Sequence, residues 1–148
     1  MYAVVLSIHN ILRWVVLILG VIALVRALVG WFGRRDWTQA DRRWGSFFAI
    51  SLDIQLLLGL LLYFFLSPLT TQALQDFGAA MGNDQTRFFA LEHALYMVLA
   101  VVFAHLGSVL ARRAPEDVAR HRRAAIWFGL ALVVIFLGMP WFRPLLRL

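Results

Sequence analysis

Arg87-Phe88-Phe89-Ala90-Leu91-Glu92-His93-Ala94-Leu95-Tyr96-Met97 opens an apolar run that continues from Phe88 to Ala111. Such a run is long enough to cross the ~30 Å hydrocarbon layer of a bilayer, which takes ~20 residues. The stretch Leu91–Met97 therefore reads as part of a membrane helix. Within it the Glu92-His93 pair is costly. Ionisable side chains inside a membrane segment are rare, usually face the protein interior, and mark function by default. His93 is a candidate metal ligand on that ground.

Three further apolar runs flank this one. The first covers 4–31 and is unbroken from Val15 to Val25; the second covers 46–66; the fourth covers 124–139. Ser67-Pro68 stops the second, because the residue before proline is pushed out of helical conformation. Pro140-Trp141 closes the fourth at an interface, where tryptophan is enriched. With the 87–111 run, these make four predicted helices in a single transmembrane domain, 1–148, with no repeat and no long linker. Hydrophobic residues are 62% of the chain and the mean hydropathy is +0.79, against ~45–50% apolar in soluble domains. His9 and Arg13 interrupt the first run and no small-residue cleavage site follows, so it is expected to be retained and not removed as a signal. The expected fold is all-α, an integral membrane four-helix up-down-up-down bundle with short connections.

The net charge of +6 comes entirely from arginine, for there is no lysine. Arg34, Arg35, Arg42 and Arg43 lie between the first two runs, and Arg112, Arg113, Arg120, Arg122 and Arg123 between the last two. The segment 68–86 holds Asp76 and Asp84 and no basic residue. The positive-inside rule then places the Arg-rich loops in the cytoplasm and both termini on the periplasmic side of an inner membrane. Arg143 and Arg147 in the tail oppose this but are outnumbered. The same arginines border membrane ends, where anionic headgroups attract them, so nucleic acid is not the expected partner. The absence of cysteine excludes disulfides, Cys-ligated zinc, iron–sulfur clusters and covalently attached c-type haem. No phosphate-binding Gly-rich loop, zinc signature or nucleophile–base pair points to a soluble enzyme.

Depth sorts the polar residues into two layers. His9, Asn10, Arg13, Glu92 and His93 fall in the outer third, since His9 and His93 are similarly far from the starts of their helices at ~1.5 Å per residue. Arg26, Asp53 and His105 fall toward the Arg-rich end, with an expected Arg26–Asp53 pair joined by His105. His121 is expected to be solvated in the basic loop. Two imidazoles at one depth suit the axial positions of a b-type haem. Met97, Ala100, Ala104 and Gly107 run in line with His93 at helical spacing, and Gly20 returns to the face of His9. The small ones, Ala100, Ala104, Gly107 and Gly20, predict grooves for the edge of a planar cofactor. Arg13 then suits a haem propionate or Glu92, and Glu92 is alternatively an acceptor orienting an imidazole. The competing reading gives the small residues to helix packing and the polar groups to a structural knot.

The chain resembles a family of small bacterial four-helix membrane proteins known as cytochrome B. The resemblance rests on His9-Asn10-Ile11-Leu12-Arg13-Trp14, on Asp53-Ile54-Gln55-Leu56-Leu57-Leu58-Gly59 leading to Tyr63, on Arg87-Phe88-Phe89-Ala90-Leu91-Glu92-His93, and on Pro140-Trp141. It spans essentially the whole chain in the same order. Many relatives have proline after the Glu-His pair; Ala94 stands there in this chain and leaves both ligands in place. The resemblance implies one haem b on His9 and His93. The expected function is then electron transfer, with a quinol, a periplasmic redox protein or a larger respiratory complex as partner, by an electron-transfer subunit more than by a stand-alone enzyme. Two alternatives follow from the residues: a non-haem structural or interaction subunit, and a proton or solute pathway through both polar layers.

Overall fold

In the computed structural model, which describes residues 1–143, apolar periodic sequence becomes helix almost throughout. The helices are α1 (Tyr2–Phe32), α2 (Gln39–Leu61), α3 (Pro68–Gln75), α4 (Phe77–Met81), α5 (Asp84–Arg87), α6 (His93–Arg112) and α7 (Asp117–Leu137). A π-helical turn, Leu62–Leu66, extends α2, and another, Phe88–Glu92, joins α5 to α6. Among the described residues there is no strand. Three continuous helices are long and apolar enough to cross a membrane: Tyr2–Phe32, Gln39–Leu66 and Asp84–Arg112. In α7, Arg120, Arg122 and Arg123 occupy the first turns, so its apolar part begins only at Ala124. Arg147 lies outside the described residues.

The boundaries moved for local reasons. Helix α2 starts seven residues before the expected 46, because Thr38 caps it. Asp41 N–H donates to Thr38 Oγ1 (3.3 Å), and Thr38 N–H donates back to Asp41 Oδ2 (2.9 Å), forming a reciprocal capping box. Arg26 of α1 donates to the other oxygen of Asp41 from Nε (3.0 Å) and Nη2 (2.8 Å). The expected Arg26–Asp53 pair is therefore not formed. Asp41, in the first turn of α2, captures Arg26, and Asp53 instead takes a hydrogen bond from His105 at 2.9 Å. The segment 68–86, expected as a polar loop, folds into three short helices started by Pro68, Asp76 and Asn83.

Four long helices pack side by side. Helix α1 contacts α2 and α7, and α6 contacts α2 and α7. Each of these pairs runs antiparallel, as the contacts along α1 illustrate. His9 near its start meets Gly59 late in α2, and Gly30 near its end meets His121 early in α7. The core at the Arg-rich half is dense. Phe48 and Phe128 pack edge-to-face with centroids 5.7 Å apart. A Cβ on Gly20 would meet Phe48 and Leu132, and one on Gly107 would meet Phe128 and Trp127. Ala100 and Ala104 are wholly buried in the same cluster.

His121 corrects the sequence reading. Helix α7 begins at Asp117, so His121 lies one turn inside it and is 1% exposed. Its ring packs 4.8 Å from that of Trp37 and directly against Gly30, where any Cβ would overlap the imidazole. Gly30→Ala should therefore cost about 1–3 kcal/mol by overpacking, read as a lower midpoint of thermal unfolding in detergent. In the His121→Ala background the same change should cost much less, a coupling that a double-mutant cycle reads directly. Thr38→Ala should cost about 1 kcal/mol as a lost cap. Asp41→Ala should cost more, since it also strips Arg26 of its carboxylate.

Candidate functional site

Away from the Arg-rich end the helices diverge around a cavity of about 320 Å³. Helix α1 contributes His9, Asn10, Arg13 and Val16. Helix α2 contributes Gln55 and Gly59, and the π turn after it Tyr63. Helix α6 contributes His93 and Met97, α7 contributes Ile135, and the turn after α7 contributes Gly138 and Met139. Pockets of this kind, mostly apolar with a few convergent polar groups, are the usual form of a cofactor or ligand site.

His9 and His93 face one another here, with ring centroids 6.4 Å apart and planes inclined at 67°. The equal depth expected from the sequence thus becomes direct juxtaposition. His93 has a defined hydrogen-bonding state. Its Nδ1 lies 2.7 Å from the Gly138 carbonyl oxygen, which can only accept, so Nδ1 carries the proton and donates. Nε2 of the neutral ring is left with its lone pair, the arrangement that a metal-bound histidine adopts when a backbone carbonyl orients it. The Gly138 oxygen is free to accept because it lies at the end of α7, where the last carbonyls lack helical donors. Gly138 also has no room for a side chain, for a Cβ would meet Met97 and Tyr96.

On the opposite wall, Gln55 Nε2 donates to the His9 backbone carbonyl at 3.0 Å. The His9 ring lies over Gly59, where a Cβ would come 3.3 Å from Cε1. Two buried polar atoms of this wall, His9 Nδ1 and Gln55 Oε1, make no hydrogen bond with the described residues. Tyr63 Oη donates to the Ala90 carbonyl at 2.6 Å. That bond ties the π turn after α2 to the π turn before His93. Such turns are frequent at functional sites, and this pair frames the open end of the cavity.

Phe88 and Phe89 pack on the His93 ring with centroids 6.0 and 5.9 Å away. Phe142 contacts both, and the Arg143 guanidinium lies 4.3 Å from the Phe89 ring centre. Arg143 and Arg13 both line the cavity, which gives it two cationic groups.

Of the residues expected at the site, His9, Arg13, His93 and Met97 line the cavity. Gly20, Ala100 and Ala104 do not. The groove predicted from their small size is filled, at Gly20 by Phe48 and Leu132. Glu92 is held at 2.8 Å by Arg87, on the preceding turn. Gly138, Gln55, Gly59, Tyr63 and Arg143 were not singled out as site residues. Gln55, Gly59 and Tyr63 stand within a quoted motif, but no spacing rule marks a carbonyl such as that of Gly138.

Chemically, the site offers two imidazoles on opposite sides of a gap. A metal ion about 2 Å from one nitrogen of each ring would put the ring centroids about 6 Å apart, close to what is observed. Among the described residues no three His, Asp or Glu side chains converge as a metal-binding group. An ion held here would take its remaining ligands from a cofactor. No family model, curated protein or solved structure matches the chain.

Proposed function

We propose that the protein is a membrane b-type cytochrome-like electron-transfer protein with one haem b held by His9 and His93. The facing of these two imidazoles across the cavity, with His93 oriented by the Gly138 carbonyl, carries the reading. The four long helices would all cross an inner membrane as an up-down-up-down bundle. The Arg-rich connections would be cytoplasmic and the cavity would lie toward the periplasmic side.

When bound, haem supplies a one-electron couple whose potential depends on axial ligands, hydrogen bonding and burial. The chain's own residues do the rest. His93 offers Nε2 because Gly138 fixes its tautomer. His9 is carried on a helix braced by Gln55. Arg13 and Arg143 provide charge for carboxylate groups, and Val16, Leu52, Val101 and Ile135 give apolar walls that exclude water. The connections between α1 and α2 and between α6 and α7 are short. The protein would exchange electrons with a quinol, a periplasmic redox protein or a larger respiratory complex, as an electron-transfer subunit more than as a stand-alone enzyme.

A second reading, a structural subunit that binds no cofactor, draws support from the small-residue stripe. Gly20, Ala100 and Ala104 serve helix packing, as such residues commonly do in membranes. The two readings separate on colour. The haem reading predicts a Soret band in protein purified from haem-supplied cells, and close to one haem per chain. A colourless protein from those cells would leave the structural reading in its place. His93→Ala should lose most of the bound haem or convert it to a high-spin spectrum, and added imidazole should restore the low-spin form. Gly59→Leu, which drives a side chain into the His9 ring, should lower haem occupancy while leaving the helical circular dichroism intact.

A further inference from the structure

The Asp53–His105 pair has no part in the cavity. It lies on the outer face of α2 and α6, with the two side chains 41% and 50% exposed. At ~1.5 Å per residue it sits about 10–15 Å from the Arg43 and Arg112 charges at the Arg-rich end. Both of its helices belong to segments able to span a membrane, so this depth is within hydrocarbon. Charged or polar groups facing lipid there are strongly unfavourable and are normally turned inward or covered.

Hydrogen-bonding capacity is left over. His105 Nε2 bonds Asp53 Oδ1, and neither His105 Nδ1 nor Asp53 Oδ2 makes a hydrogen bond with the described residues. Neither residue of the pair lines the cavity that holds His9 and His93. The pair is bordered by exposed apolar residues: Ile50 and Leu57 on α2, Val102 on α6. These lie at the three- and four-residue spacings that share a helix face.

We propose that this face docks on a second copy of the same chain, about a two-fold axis along the membrane normal. Such an axis keeps every residue at its own depth, so the pair of one copy meets the pair of the other. A two-fold interface must be self-complementary, and a patch holding one carboxylate and one imidazole is. His105 Nδ1–H of each copy donates to Asp53 Oδ2 of its mate. The two carboxyl groups and two imidazole rings close a neutral ring of four hydrogen bonds shielded by the apolar residues. This dimer does not depend on haem.

The absence of cysteine makes the test clean. Leu57→Cys and Val102→Cys, oxidised in native membranes, should each yield a disulfide-linked product of twice the 16.9 kDa chain. Val21→Cys, on the exposed side of α1, should not. Asp53→Ala should lower the Leu57→Cys dimer about tenfold, as the loss of interhelical hydrogen bonds implies. Because that variant also breaks the bond within each chain, the exchange Asp53→His with His105→Asp is added. It keeps both sets of bonds and should restore cross-linking. The proposal is overturned by a monomer at both positions, by equal cross-linking through Val21→Cys, by a product containing a different protein, or by an Asp53→Ala dimer of undiminished yield.

Discussion

A histidine enclosed by apolar helices must find a partner for its N–H or bear the cost of an unmet buried donor. That constraint, met at His93 by the Gly138 carbonyl, organises the cavity end of the molecule. The bond is available only because α7 stops at Leu137, leaving terminal carbonyls without helical donors. It is reached only because Gly138 has no side chain to hold Met97 and Tyr96 away. The length of one helix therefore sets the tautomer of a ring on another. Nε2 of His93 is then the nitrogen left with its lone pair, on a ring whose centroid lies 6.4 Å from that of His9.

The same requirement explains the other polar contacts. Asp41 serves at once as cap partner of Thr38 and counter-ion of Arg26, so one carboxylate starts α2 and docks it on α1. Glu92, which looked like a partner for an imidazole, is satisfied by Arg87 beside it. Local partners win because they need no further ordering of the chain, whereas a partner on another helix must first be brought into register.

Depth along each helix was legible in the sequence, and direction around it was only partly so. Counting residues put His9 level with His93, and their rings do meet. The same counting put Arg26, Asp53 and His105 together, yet Arg26 turns to Asp41 while Asp53 and His105 face outward. Rotation about a helix axis depends on which neighbours it packs against, and single-chain spacing carries that only as a face. His121 was obscured for a related reason. It stands among Arg120, Arg122 and Arg123 and reads as loop, but starting α7 at Asp117 turns it onto Gly30.

Small residues carried the deepest ambiguity. Gly20, Gly59, Ala100, Ala104 and Gly107 all permit close approach, and sequence does not say what approaches. At Gly20 and Gly107 the answer is an aromatic ring from the next helix, which locks the Arg-rich half into a dense core. At Gly59 it is the imidazole of His9, and beyond that ring lies space. The molecule is thus built in two parts along its axis. Phe48, Phe128 and the alanines of α6 pack the helices closely at the Arg-rich end. That dense half holds α1 and α6 in register, and at the other end the His9 and His93 rings lie 6.4 Å apart. Close packing at one end is in this sense the mechanical condition for a cavity at the other.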